Sequence, residues 1–315
     1  MSNKKRGFLE MPFGWMFALI VGGIILFMAI YFSIQFIKTE RTQEDVTRSR
    51  EIGIIMNPLE ISFEEGKSTL LELPVDTRFY NKCDRYGDFG RQLIEVSQLS
   101  LNQWSKTGLE VSFKNKYIFS EEAAEGRSFY VFAKPFEFPF KVADLIYLIP
   151  KKGEYCFVNA PSNITQEIKD LKFENIMNVT NKNFCDKESR KVCFSGTGCD
   201  INVNVNGGRT TRKEGNKIND VRFQGNALMY ASIFSGTEIY ECQVKRLMLR
   251  VQNLAELYNT KAIYLSTKDC DSNINLIGLI QSANDYNSSK QDLPEMVLAS
   301  NEAFIQNDKL NCRLW

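Results

Sequence analysis

The sequence predicts an α+β protein: one N-terminal transmembrane helix, then a disulfide-stapled ectodomain that is strand-rich first and helical toward the C-terminus. Three observations predict it. Met11–Ile37 is an unbroken apolar run without a charge, all eight cysteines lie behind it, and the apolar spacing further along changes from period two to the period of a helix.

At 1.5 Å per residue, a helix over residues 11–37 reaches roughly 40 Å, more than the roughly 30 Å of a bilayer's hydrocarbon core. The run is too long for a cleaved secretory signal and ends in Gln35-Phe36-Ile37-Lys38 with no small-x-small site, so it is expected to remain as an anchor. Lys4, Lys5 and Arg6 precede it, opposed only by Glu10. The positive-inside rule therefore makes residues 1–10 a cytoplasmic tail and places the C-terminal domain outside the cell membrane. Gly14, Ala18 and Gly22 recur every fourth residue and line one helix face with small side chains, the pattern that lets membrane helices approach closely. Chance recurrence of common membrane-helix residues gives the same triplet.

Residues 38–57 are charged and free of proline until Pro58, and read either as a helical stalk or as a linker. Residues 58–315 form the extracytoplasmic domain, strand-rich over 58–235 and helical over 236–315. Strand signals begin with Leu109, Val111 and Phe113 alternating with Glu110, Ser112 and Lys114. Lys141–Ile149 is a short apolar run closed by Pro150. The stretch Phe129, Tyr130, Phe132, Phe136, Phe138 and Phe140, broken by Pro135 and Pro139, reads as sheet core; the second reading is an exposed apolar surface at an edge.

Thr165–Met177 reads as a helix with Ile168, Leu171 and Ile176 inward. Ile201, Val203 and Val205 alternate with Asn202, Asn204 and Asn206, and Asn206-Gly207-Gly208 suits a hairpin turn whose returning strand is Ile218–Phe223. Ser235 and Glu238 have capping-box spacing ahead of an apolar stripe: Tyr240, Val244, Leu247, Met248, Val251, Leu254, Ala255 and Tyr258. Two further helices are expected near Asn273–Ala283 and Leu293–Asn307, the latter capped by Asp292 with Pro294 in its first turn.

Cys83, Cys156, Cys185, Cys193, Cys199, Cys242, Cys270 and Cys312 are all on the side of the anchor where disulfides persist. Their even number fits four bridges, and no CxxC pair marks a zinc ribbon or redox site. Cys185, Cys193 and Cys199 are expected to bridge locally or to Cys156, and Cys312 to Cys270; buried free thiols are the alternative. Sequons at Asn163, Asn178 and Asn287 also lie outside and are glycosylation candidates.

Lys plus Arg number 39 against 38 Asp plus Glu, so no basic excess points to nucleic acid. The absence of histidine removes the Ser-His-Asp and Cys-His pairs, HExxH and most catalytic zinc sites at once. Gly66-Lys67-Ser68-Thr69 lacks the glycine of a P-loop at Ile61, and Asp88-Phe89-Gly90 has no kinase partner motifs. Asp269, Asp271 and Asn273 start like a calcium loop, but Ile274 and Ile280 stand where Gly and Glu are needed. No catalytic residue, metal or cofactor is expected.

The opening KKRGFLEMPFGWMFALIVGGIILF resembles the N-termini of uncharacterised single-pass surface proteins of small-genome archaea, and NALMYASIFSGTEIYECQVKRLM is similar to a later segment of the same group. The first thirty residues also resemble a type IV prepilin leader, with Gly7 in the processing position, although Glu10 is third rather than fifth after it and Pro12 intervenes. These observations together lead us to expect a non-enzymatic membrane protein that contacts other membrane or surface proteins, self-association among them, in a membrane or pilus-like assembly. The rival expectation is an anchored hydrolase or glycan-binding protein that works through carboxylates.

Overall fold

The computed structural model describes residues 14–37, 68–100, 102–105, 110–270, 272, 274–288 and 293–315. The stalk, the Gly7 leader position, Leu109 and Asp292 lie outside them. Gly14–Ile37 form helix α1, with none of its side chains buried. Its 24 residues, about 36 Å of helix, have the length and composition of a membrane anchor.

A first sheet contains β1 (Ser68–Asp84), β2 (Arg91–Ser100), β3 (Gln103–Trp104), β4 (Val111–Phe113), β5 (Tyr117–Phe119), β6 (Ala123–Glu137) and β7 (Lys141–Pro150). The order is β3-β2-β1-β6-β7-β5, with β4 also on β2, and every pairing is antiparallel except β5 with β7. Along β6, period two sends Tyr130, Phe132 and Phe136 to one face and Phe129 and Val131 to the other; both faces are buried. The aromatic run is thus core, and Phe138 and Phe140 beyond the strand end are buried too. Pro135 stands opposite Asp144 of β7 near the end of the strand.

A second sheet follows: β8 (Tyr155–Val158), β9 (Ile176–Val179), β10 (Arg190–Cys193), β11 (Ile201–Asn204), β12 (Arg209–Glu214) and β13 (Lys217–Arg222), ordered β13-β12-β11-β10-β8-β9. β9, β8, β10 and β11 run parallel, and β11–β13 form an antiparallel meander. Helix α2 (Ser162–Asp170) makes the β8–β9 crossover. This corrects the expected helix over 165–177. The chain leaves α2 through Lys172 at φ +54, and Ile176 belongs to β9. The hairpin turn at residues 206–208 is present, but the strand that returns is β12; Ile218–Arg222 belongs to the third strand of the meander.

Helix α3 (Gly225–Phe234) lies between the sheets, with all eight residues from Ala227 to Phe234 buried. Its Phe234 ring is 5.2 Å from Tyr155 of the second sheet and 6.1 Å from Phe132 of the first, and Tyr147 donates to the Ala227 carbonyl at 2.7 Å. Burial of a Phe of this kind contributes about 1.5–3 kcal/mol. Helix α4 (Thr237–Ser266) buries the expected stripe through Tyr240, Val244, Leu247, Met248, Val251 and Ala255, with Leu254 and Tyr258 half-buried. No capping box forms. Gly236 is the N-cap, and the Ser235 hydroxyl turns back to the Ala231 carbonyl at 2.6 Å, finishing α3 instead.

Helices α5 (Ile277–Ser288) and α6 (Leu293–Asp308) complete the chain, α5 starting and ending later than expected. The cysteines stand in four pairs at disulfide distance: Cys83–Cys242, Cys156–Cys185, Cys193–Cys199 and Cys270–Cys312. The first joins β1 to α4, and the last fastens the C-terminal tail to the end of α4.

Candidate functional site

Helix α6 is apolar on two faces. Leu293, Met296, Ser300, Ala303 and Asn307 are buried, spaced as one helical face. Leu298 and Ile305, seven apart on another face, are 66% and 51% exposed, with Phe304 beside them at 55%. The distal half of α4 repeats the arrangement: Ala255 and Ala262 are buried, while Leu257 and Tyr264, also seven apart, are exposed. A helix apolar all round is normally covered all round. Among the described residues, only one face of each is.

Charge distinguishes these two exposed stripes. On α4 the stripe reads Leu257, Lys261, Tyr264 and, just past the helix, Lys268, whose ammonium lies 5.9 Å from the Tyr264 ring. On α6 it reads Glu295, Leu298, Glu302, Ile305. All eight residues are exposed, and the spacings of three and four put each set on one face. One surface is apolar with a basic rim and the other apolar with an acidic rim.

The scaffold under them is fixed. Lys261 donates to the Leu314 carbonyl at 2.6 Å, and Asn307 binds the tail through Leu314 N at 2.7 Å and the Trp315 carbonyl at 3.0 Å. Phe140, Tyr258 and Trp315 form a ring triangle with centroids 4.7–5.4 Å apart. On α1, Gly14, Ala18 and Gly22 share one face, and nothing lies within 4 Å of a Cβ placed on Gly14 or Gly22.

Carboxylates converge elsewhere, in a cleft of about 360 Å³ where the sheets meet, lined by Glu121, Glu154, Glu188, Tyr155 and Arg190. Glu121 accepts from both Arg190 and Arg212, and Arg212 also donates to the Ile233 carbonyl at 2.8 Å and pairs with Glu214 at 3.0 Å. Burial pushes the Tyr155 phenol up, against the pull of Arg190. Burial by itself lowers the Arg190 guanidinium, but Tyr155 and Glu121 more than offset this and leave it raised. Glu154 and Glu188 face solvent. Glu121 is half-buried against two guanidiniums, so the cluster stitches β10 and β12 to the loop before β6.

Of the remaining sequence candidates, Asn163 is exposed in the first turn of α2, and Asn178 is half-buried on the edge strand β9. Asn287 falls in the last turn of α5, its side chain outside the described residues. Asp271 and Asn273 of the calcium-like stretch are also outside, and no group of three or more Cys, Asp or Glu among the described residues could hold a metal ion. The Glu121–Arg190–Arg212 cluster was not predicted. Its members are 69 and 91 residues apart, with no local signal linking them. The α6 outer stripe was visible in the sequence as an apolar heptad step, but reads as core until the inner face is known.

Comparison with known protein families, curated proteins and solved structures finds no match to this chain.

Proposed function

We propose that the chain is a membrane-anchored surface protein, with its N-terminus cytoplasmic and its disulfide-braced domain outside, that assembles with further copies of itself. The observation that carries this is the complementarity of the two exposed stripes, apolar and basic on α4, apolar and acidic on α6. Two copies anchored in one membrane share an orientation, and a two-fold arrangement sets α4 of each against α6 of the other, satisfying both stripes at once. The small-residue face of α1 supports the same partner, because it permits close approach of a second anchor. The eight residues are net neutral as a set, two lysines against two glutamates, so the matched charges set orientation and exclude wrong partners while the apolar side chains supply affinity. The outside location is supported by the Lys4, Lys5 and Arg6 bias and by the four cysteine pairs.

The test is co-purification of two differently tagged full-length chains from one native membrane. Wild-type chains should capture each other, and Leu298→Glu with Ile305→Glu, both exposed and therefore tolerated by the fold, should reduce capture by about tenfold or more. Equal capture by the variant would refute the α4–α6 contact, and failure of wild-type capture would refute self-assembly.

A further inference from the structure

β10 ends at Cys193, and the chain then folds back across the outward side of the second sheet before entering β11. This loop and the outward side chains of β11 and β12 enclose a pocket of about 530 Å³, within the range of small-molecule sites. It opens at the carboxyl end of a parallel strand, the end at which open α/β sheets hold ligands.

The pocket wall is fixed before any ligand arrives. Cys193–Cys199 closes the loop, and Gly196 and Gly198 take φ +85 and +94, a conformation that side chains rarely adopt. The Asn202 side chain grips Cys199 from both sides, accepting from its N–H and donating to its carbonyl, each at 3.2 Å. Ordering of the loop is thus completed on folding and adds little cost to binding.

The chemistry of the lining is specific. Its polar groups come from Ser195, Thr197, Asn202, Asn204, Arg209 and Thr211, and Asp220 stands beside it, accepting from Arg209 Nε–H and from the Thr211 hydroxyl at 3.3 Å; Phe194 lines it too, but is buried with its ring 5.2 Å from Phe157 in the core. Arg209 gives its Nε–H to Asp220, which holds the guanidinium in place, and its two terminal nitrogens, with four N–H groups, have no acceptor among the described residues. Asn204 uses its Oδ1 to accept from Gly207 N at 2.9 Å, which fixes its amide over the turn after β11.

A planar cation beside neutral hydroxyl and amide groups suits an anionic ligand rich in hydroxyls. We propose that this pocket binds an acidic sugar, a hexuronate whose carboxylate pairs with Arg209 while its ring hydroxyls bond to Ser195, Thr197 and Asn204. A fork of N–H donors suits a planar carboxylate. A free uronic acid and a uronate unit of a surface glycan share this chemistry.

The experiment titrates the full-length chain in detergent micelles by calorimetry and ligand-observed NMR. The probes are glucuronate, glucose and a glucuronate-containing oligosaccharide. Glucuronate should saturate with a Kd near or below about 1 mM, and glucose should bind at least about tenfold more weakly. Arg209→Met should lower glucuronate affinity by about tenfold or more, whereas Asp220→Asn, which keeps the cation, should retain binding. Tighter binding of the oligosaccharide than of the monomer assigns a glycan as the source; equal binding assigns the free acid. Equal affinity for glucose and glucuronate, no saturation by glucuronate at about ten times the expected Kd, or an unchanged Arg209→Met affinity would each overturn the proposal.

Discussion

A Cβ placed on Gly90 would lie 2.8 Å from Cγ of Arg246, with the Asp84 carbonyl oxygen at 2.6 Å on its other side. Gly90 sits at φ +59 in the turn between β1 and β2, and the missing side chain is what lets the fully buried Arg246 pass. Arg246 lies over the Tyr117 ring at 4.6 Å and donates to the carbonyls of Phe89 at 3.1 Å, Lys114 at 3.0 Å and Lys116 at 2.8 Å and to Gln243 at 2.7 Å. One side chain thus fastens α4 to two loops of the first sheet. Gly90→Ala is expected to destabilise by about 2–4 kcal/mol, because strained backbone and contact with an immovable carbonyl add. Arg246→Met leaves four acceptors without their donor and should cost roughly 3–5 kcal/mol. Denaturant midpoints test both; a Gly90→Ala protein as stable as wild type would show that this turn can move away from α4.

Five tyrosines, Tyr117, Tyr147, Tyr155, Tyr230 and Tyr240, are held above the usual phenol value, in each case first of all by burial. Burial acts oppositely on Arg246, pushed down to about 10. Below pH 10 both folded and unfolded chains keep these protons. Above it the unfolded chain releases up to five phenolic protons that the fold retains, so stability falls as pH rises; Arg246 offsets one of them. Four net protons correspond to about 5 kcal/mol per pH unit. Against a stability of about 5–15 kcal/mol, cooperative unfolding is expected between about pH 11 and 13. Circular dichroism and tyrosinate absorbance should change together. Persistence of the fold through that window would show that these phenols ionise without leaving the core.

The contrast between α3 and α4 explains how much of the fold was legible. The α4 stripe from Tyr240 to Ala255 recurs at helical spacing because one face meets the core and the other meets water. Ala227 to Phe234 meets protein on every side, so no periodicity marks α3. Strand β12 was hidden for a different reason. Its inward residues are Thr210 and Arg212, made tolerable inside by Ser232, the Ile233 carbonyl and Glu121, all distant in sequence. The candidate surfaces follow the same logic: residue types on α4 and α6 were readable, but which apolar positions remain uncovered depends on tertiary packing.

The Cys270–Cys312 pair closes 42 residues and holds the tail under α4, where Trp315 completes its ring triangle with Phe140 and Tyr258. Chain-entropy arguments put the effect of such a loop at about 4 kcal/mol, with measured bridges more often at about 2–4 kcal/mol. Cys312→Ser is expected to lose that amount and to expose the tail to proteolysis near Leu310, while the sheets keep their protection from amide exchange. Uniform loss of protection across both sheets would show that α5 and α6 are not a separately opening unit.

The Lys134–Glu167–Tyr230 cluster links β6, α2 and α3, and tests whether a half-buried ion pair supports the interior or only fits it. Glu167 accepts from the Lys134 ammonium and from the Tyr230 hydroxyl at 2.9 Å, with 13% and 20% of the Lys134 and Glu167 side chains exposed. Glu167→Gln leaves a poorly solvated ammonium beside a neutral amide and should destabilise by about 2–4 kcal/mol. Replacing both partners, Lys134→Met with Glu167→Leu, removes the charges together with their desolvation and should cost clearly less than the single change. Tyr230 still loses its acceptor in the double variant, so about 1–2 kcal/mol should remain. Double-mutant-cycle denaturation measures the difference, and strictly additive costs would show that Lys134 and Glu167 do not depend on one another.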